Sequence, residues 1–560
     1  MTTELTTQPA HPGRSRKDRS QTALGIVAGL LSAAVALGVA QLVAGITGSQ
    51  GSPVIAVGRA AIDKTPRPVT DFVIKIFGTN DKLVLLSGIV VVLALFAAGF
   101  GAASVRKLGV GMTGLAVFAA IGLAAVITRP DFTGTDVAPT LAGAAAGAFA
   151  LERLSRAAAP RRVAEPGGVA GPARGAEPGR GAEPGRGAEP GRGAEPGRDA
   201  AVLSSHGRRT FIITGAVAAA TAAAGGGLGN LLSHRTSVSR SRALVRIPPP
   251  ARPAKPLPPT ADLKIPGLSP FVTPNARFYR VDTALVLPQV PPGSWRLRIH
   301  GMVNREISIS FDDLLRRPLT EADITLCCVS NPVGGPYISN ARWLGVPLAA
   351  VLRQAGIKPG ADQLLTTSTD GYTSGTPVAT VMDGRNALLA VAMNGSALPI
   401  AHGFPVRMVV PGLYGYVSAT KWITDIEVTT FAAAKAYWVQ QGWAARGPVK
   451  TESRIDVPAD RATLKAGRVP VAGVAWAQHR GVAAVQVRAD NGPWHEARLA
   501  SVPGIDTWRQ WVWDWEATPG EHQLQARATD ETGYTQTPRN TTPFPSGATG
   551  WPTITVSVSA

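Results

Sequence analysis

Three stretches near the start of the chain carry no charged residue over the length of a helical span: residues 22–46, 83–104 and 108–128. About 20 consecutive apolar residues suffice to cross a hydrocarbon core, so each is predicted to be a membrane helix. A shorter run rich in Ala and Gly, residues 137–151, is the weaker candidate for a fourth span. The competing reading, fully buried helices of a soluble domain, would have to place all four runs in one core. From about residue 270 the pattern changes. Trp295-Arg296-Leu297-Arg298-Ile299-His300-Gly301 alternates with period two, which predicts a strand ending in a turn. Phe311–Leu315 and Leu348–Ala355 read as short helices, and Val409-Val410-Pro411-Gly412 as a strand running into a turn. After Tyr437 the segments Val471–Trp476, Val482–Ala489, His495–Leu499, Trp508–Trp515, His522–Ala528 and Ile554–Val558 alternate between turns. Short strands without a helix predict a β-sandwich. The fold class is therefore four plus one N-terminal membrane helices, an α+β domain, and a C-terminal β-sandwich.

The connections divide the chain further. A basic tail, residues 1–20, holds Arg14, Arg16, Lys17 and Arg19 ahead of a membrane anchor over residues 21–155. Arg106 and Lys107 fill the second connection, and Arg153, Arg156, Arg161 and Arg162 follow the fourth run. With four alternating spans, these groups share one side, which the positive-inside rule makes cytoplasmic. Arg59, Lys64, Arg67, Lys75 and Lys82 in loop 47–82 dilute that asymmetry. Val69–Phe77 in this loop is expected to lie along the membrane surface. Residues 156–206 form a linker in which GAEPGR repeats four times from Gly175 to Arg198, and Gly and Pro at this density defeat both helix and strand. Arg208-Arg209-Thr210-Phe211 then opens an Ala-rich run, 207–232, resembling a twin-arginine export signal inside the chain. The alternative is a fifth span preceded by positive-inside residues. Either reading carries everything after it out of the cytoplasm. Residues 233–269 are rich in proline and are expected to be a stiff tether.

Composition narrows the function classes. The 560 residues are 45% hydrophobic and only 17% charged, low for a wholly soluble protein. Basic membrane loops explain the net charge of +19 more simply than nucleic-acid binding does. The two cysteines, Cys327 and Cys328, are adjacent and cannot staple distant segments. Residues 412–421 lack the Gly and Ser/Thr that a Walker motif places around its lysine. The run Thr325–Cys328 passes into polar, Gly-rich sequence, so a thiol there stands at a strand-to-loop boundary. A small buried hydrophobe is the usual role of such a cysteine. This boundary also suits a nucleophile or a soft-metal ligand.

TLCCVSN (Thr325–Asn331), SNARWLGVPL (Ser339–Leu348), MNGSALPIAHGFPVRMVVPGLYGY (Met393–Tyr416) and TKWI (Thr420–Ile423) together resemble the sulfite oxidase family of molybdenum enzymes. TPNARFY (Thr273–Tyr279), WRLRIHG (Trp295–Gly301), GVAWA (Gly473–Ala477), TWRQWVWDW (Thr507–Trp515) and RATDETG (Arg527–Gly533) extend the resemblance over about 270–560. The chain looks like an actinobacterial-type, membrane-anchored member. The resemblance implies a molybdopterin-binding catalytic domain over 270–436 and an immunoglobulin-like, dimerisation-type domain over 437–560. It implies molybdenum held by a pyranopterin dithiolene and one thiolate, Cys328, followed by Asn331 at the end of the motif. Cys327, on the alternate face, is expected in the core. Asp282, Thr283, Asp370, His402, Arg407, Ser418 and Lys421 stand where the family grips or lines its cofactor. Tyr372, five residues before Pro377, matches the active-site tyrosine, whose phenol could bond a substrate oxygen or relay a proton.

Two departures count against sulfite. The family's sulfite oxidases carry Arg where this chain has Val281, and again where it has Ser418. Arg280 is displaced by one position and would face the other way in an extended segment. A pocket without those guanidinium groups loses charge complementarity to a dianion. The four N-terminal runs contain no His and one Met, Met112, so no haem is expected in this chain. His11-Pro12-Gly13 resembles part of a haem motif but lies in the basic tail. The reading is a membrane-anchored oxidoreductase transferring oxygen atoms to or from a small sulfur-containing or similar substrate outside the cytoplasm. Its partners are the membrane and an external electron carrier, with a homodimer as a possible assembly and no nucleic acid. A strict sulfite oxidase, a non-catalytic scaffold, and a transporter or sensor are the rivals.

Overall fold

Helices form wherever the charge-free runs occur. The computed structural model describes residues 16–47, 51–65, 81–129, 132–158, 205–235 and 238–560. The GAEPGR repeats, Val69–Phe77 and His11 lie outside the described residues. Two units result: Met1–Thr128 with Phe132–Arg235, and Arg129–Asp131 with Thr236–Ala560.

The first unit contains α1 (Arg16–Thr47), α2 (Pro53–Lys64), α3 (Asp81–Ser104), α4 (Leu108–Ile127), α5 (Ala138–Ala158) and α6 (Ser205–Arg235). Four of these contain stretches long and apolar enough to cross a membrane: Ser20–Thr47, Val84–Ser104, Leu108–Ile127 and Arg209–Leu232. The fourth run, expected over 137–151, forms the less apolar α5 and continues to Ala158 through Glu152, Arg153 and Arg156. Small residues on α1 set the helix spacing. A Cβ on Gly29 would lie 2.0 Å from the carbonyl oxygen of Ala97 on α3, and one on Gly38 would lie 2.6 Å from that of Ala222 on α6. Gly143 of α5 would meet the Ala36 carbonyl of α1 at 2.5 Å. Such contacts are how helices associate without a hydrophobic driving force between them.

The second unit begins with α7 (Ser239–Leu244) and the proline-rich segment. Expected as a stiff tether, this segment is a strap pinned along its length. Arg242 donates to the carbonyls of Leu398 and Ala397, both at 2.6 Å. Arg252 exchanges backbone bonds with Leu319 and Glu321. The Leu263 amide donates to Gln510 Oε1 (2.7 Å) and the Ser269 amide to Asp456 Oδ2 (3.0 Å). Proline holds the chain extended with no internal hydrogen bonds, so the remaining N–H and C=O groups are available to partners.

Two sheets build the next domain. One has the order β2-β1-β10-β5-β6, from Ile307–Ser310, Arg296–Gly301, Ile423–Thr429, Gln363–Ser368 and Thr373–Pro377. The other runs β3-β4-β7-β8, from Thr320–Cys327, Ile338–Pro347, Leu388–Met393 and Ser396–Ala397, with β9 (Arg407–Val409) also paired to β7. All six residues of β7 are buried, as suits a central strand covered on both faces.

The last domain has two facing sheets. One orders β11 (Glu452–Val457), β13 (Gly467–Trp476), β17 (Arg509–Ala517) and β16 (Arg498–Leu499). The other orders β12 (Thr463–Lys465), β19 (Thr553–Ser559), β18 (Gly520–Asp530), β14 (Val482–Ala489) and β15 (His495–Glu496). Val471 and Trp511 from one sheet meet Val487, Leu524 and Val556 from the other in a shared core. The stretch His495–Leu499, expected as one strand, changes sheets at buried Ala497. Across the unit Trp295, Trp343, Trp422, Trp476, Trp508 and Trp511 are fully buried.

Candidate active site

Strand β3 ends at Cys327, and the alternation of an extended chain sends adjacent side chains opposite ways. Cys327, 1% exposed, joins the apolar core. Cys328 instead lines a cavity. Its amide donates to the Tyr337 carbonyl (2.9 Å), and its own carbonyl accepts from the Asn331 amide (3.1 Å). Asn331 Oδ1 accepts from the Tyr337 amide at 2.8 Å and closes the loop. Burial pushes the Cys328 thiol up, against the pull of hydrogen bonds from Ser330 and the charge of Lys421.

The opposite wall is cationic. Arg407, on β9, is 4% exposed. It donates to the carbonyls of His402 and Ala419, both at 3.2 Å, and leaves Nε without a partner. Its guanidinium lies over Trp343, 5.0 Å from the ring centroid. Burial pulls it down to about 10. Lys421 Nζ lies 2.7 Å from Asp282 Oδ2. Burial brings this lysine down to about 8, with Asp282 opposing the shift. Asp282 also receives Arg280 Nε at 2.8 Å. His402 Nε2 lies 3.1 Å from the Asn275 carbonyl oxygen. Burial first, and then Arg407, bring His402 down to about 4, so the ring is neutral near pH 7. A carbonyl partner assigns the proton to Nε2 and leaves Nδ1 as an acceptor. Gly403, at φ 107°, lets the chain turn here; a Cβ would sit 3.0 Å from the Arg407 Cβ and 3.1 Å from the Lys421 Cβ.

Asp370 and Tyr372 line a third side. The Tyr372 hydroxyl donates to the Tyr416 carbonyl at 2.9 Å. Burial, then the neighbouring Cys328, raise its ionisation far above the usual phenol range. Aromatic rings continue the wall. Tyr437 lies 6.0 Å from Tyr372 and 5.0 Å from Trp438, and Trp443 lies 6.1 Å from Tyr416 and 6.3 Å from Trp438.

Eight of the residues singled out from the sequence thus line one cavity: Cys328, Asp282, Thr283, Asp370, Tyr372, His402, Arg407 and Lys421. Asn331 and Ser418 fall outside the lining. The Ser418 hydroxyl, fully buried, donates to the carbonyls of Leu413 (3.1 Å) and Tyr414 (3.0 Å). Val281 does face the cavity, while Arg280 stays outside it, bound to Asp282. Sequence reasoning missed Tyr279, Ser368, Trp438 and Trp443. Ser368 lines the cavity with a buried hydroxyl lacking a partner. A lone Ser at a strand end carries no sequence signal. Tyr279 lay inside the TPNARFY motif and could have been taken from it.

The profile of a family described as an oxidoreductase molybdopterin binding domain matches residues 284–438. Mitochondrial sulfite oxidase of Rattus norvegicus is 31% identical over 288 residues, covering 44% of this chain and 52% of the relative. An uncharacterised oxidoreductase, YuiH, of Bacillus subtilis is 32% identical over 153 residues, covering 27% of this chain and 74% of the relative. The solved structure of the sulfane dehydrogenase SoxCD from Paracoccus pantotrophus aligns at 26% identity and TM-score 0.43, over 48% of this chain and 74% of that one. The chain spans about half the length of the first of these relatives. The class is therefore an oxidoreductase with a molybdopterin-binding domain. The chain belongs to the sulfite oxidase family of molybdopterin-dependent oxidoreductases and is an enzyme of that family. The scaffold reading is set aside.

Proposed function

We propose that this is a membrane-anchored molybdopterin enzyme that transfers oxygen atoms to or from a small, neutral sulfur compound outside the cytoplasm. The observation that carries it is one cavity lined both by a buried thiol, Cys328, and by a buried guanidinium, Arg407, that has no acidic partner among the described residues. A buried, uncompensated cation is costly, and an anionic group would relieve it. The residues fit a pyranopterin cofactor. Cys328 offers the soft ligand, Arg407 and Lys421 the charge-assisted donors for a phosphate, and His402 Nδ1 an acceptor for a pterin N–H. Asp282 and Asp370 accept further donors, Thr283 lines the same wall, and Asn331 holds the Cys328 loop. When bound, the cofactor supplies two-electron redox chemistry. Tyr372 keeps its proton, can turn its O–H from the Tyr416 carbonyl to donate to a substrate oxygen, and with Trp438 and Trp443 excludes water.

The substrate assignment rests on the two missing guanidinium groups. Val281 stands apolar at the cavity wall, and Ser418 points its hydroxyl into the backbone. One observation favours strict sulfite oxidation instead: Arg280 is held against Asp282, a cavity residue. The test compares kcat/KM for sulfite and for a dialkyl sulfoxide in the metal-loaded chain and in Val281→Arg. One charge-assisted contact is worth about 1.5–3 kcal/mol, so the substitution should raise sulfite turnover roughly ten- to hundredfold and leave the sulfoxide little changed. Efficient sulfite oxidation by the unsubstituted chain would restore the strict sulfite reading. Ser418→Arg is a poorer probe than the sequence suggested, because that position is fully buried.

The anchor reading uses five crossings. α5 is the least apolar, yet Gly143 and Gly147 pack on Ala36 and Ser32 near the middle of α1. That contact sets α5 at the depth of a long apolar helix and buries its glycine face against α1, where less hydrophobicity is needed. Five crossings from a cytoplasmic N-terminus leave the catalytic half outside. The N-terminal spans α1, α3, α4 and α5 contain no histidine, so electrons are exchanged with an external carrier and not with haem in this chain. The two-sheet C-terminal domain is read as immunoglobulin-like and as the surface for a homodimer.

A further inference from the structure

Helices α1 to α5 line a second, half-open cavity of about 450 Å3. Leu93, Leu115, Phe118 and their neighbours make its wall apolar, and Thr140 is the one polar side chain among its described lining residues. Thr140 is 5% exposed and its hydroxyl has no hydrogen-bond partner. Other helical threonines of this unit return that proton to the carbonyl four residues back: Thr47 to Val43, Thr113 to Gly109, Thr128 to Ala124, Thr221 to Val217. Thr140 stands in the first turn of α5, so its position four back, Asp136, falls in the 3-10 turn Gly134–Val137 ahead of the helix. At Gly88, on the cavity wall, an added Cβ would meet nothing within 4 Å. Space lined this way stays dry unless an apolar molecule fills it. Its size falls in the range of pockets that take a drug-sized ligand.

We propose that this cavity binds one hydrocarbon-tailed membrane molecule whose head presents a carbonyl oxygen to Thr140. The inference rests on the membrane reading above. An isoprenoid quinone and a glycerolipid ester share this chemistry. The full chain, extracted in mild detergent and stripped of lipid, is incubated with decylubiquinone or with dioleoyl phosphatidylglycerol, then re-isolated by gel filtration. Saturable retention approaching one probe per chain is expected for at least one of them. Retention should fall at least fivefold in Gly88→Phe, which fills the void, and in Thr140→Val, and return in Thr140→Ser. Far-UV circular dichroism checks that the variants keep their helices. The probe retained identifies the source as quinone or glycerolipid. Retention of neither by a folded chain, or equal retention by all variants, overturns the inference. A chain that stays dispersed without detergent overturns the membrane reading itself.

Discussion

Cys327 and Cys328 differ by one step along the backbone and face different surroundings. Cys328→Ser should abolish turnover and lower molybdenum content while the fold persists. Cys327→Ser should retain metal and lose stability by about 1–3 kcal/mol, the cost of an unmatched buried hydroxyl. Denaturant titration and metal analysis separate the two, and the reverse pattern would move the ligand by one residue. Glu452 gives a pH signature. It is 3% exposed, one carboxylate oxygen has no partner, and burial raises it to about 8 despite Lys450. The folded chain therefore holds a proton that the unfolded chain releases near pH 4.5. Stability from this group is intact below pH 4.5 and declines as pH rises toward 8, by up to roughly 1.4 kcal/mol per pH unit. Glu452→Gln should flatten that decline in melts of the intact chain. An unchanged slope would contradict the buried, protonated state.

Among the elements, the strap from Val238 to Ser269 departs furthest from expectation. Arg242 anchors its start through two carbonyls, whereas Arg240 is exposed. Arg242→Ala should cost about 1–3 kcal/mol and speed proteolysis between residues 238 and 260, with Arg240→Ala close to neutral. Equal protease sensitivity in both variants would contradict the anchoring. This element shows what sequence reading can and cannot reach. Proline density reveals that Pro248–Pro259 is extended, but not that Gln510, far along the chain, supplies a partner. In the same way β14 and β17 were legible from alternation, while the sheet change at Ala497 depends on contacts between strands. Cys328 and Arg407 were legible because they sit in long motifs. The orphan Ser368 and the aromatic wall were not, because tertiary packing alone brings them to the cavity.

At the scale of the whole molecule, the order of spans decides where the chemistry happens. A reporter fused after residue 200 should be cytoplasmic, and one after Ala560 external. Arg208→Lys with Arg209→Lys should block export if the paired arginines are read as a signal. Normal export of that double variant would leave only positive-inside orientation. Finally, every tryptophan of the chain lies at or beyond Trp295, and six of them are fully buried. Intrinsic emission from the intact protein is thus blind to the helical unit. Emission scans should follow only the second unit, while amide circular dichroism is weighted toward the first. The two transitions can be timed against each other in one uncut, unlabelled sample.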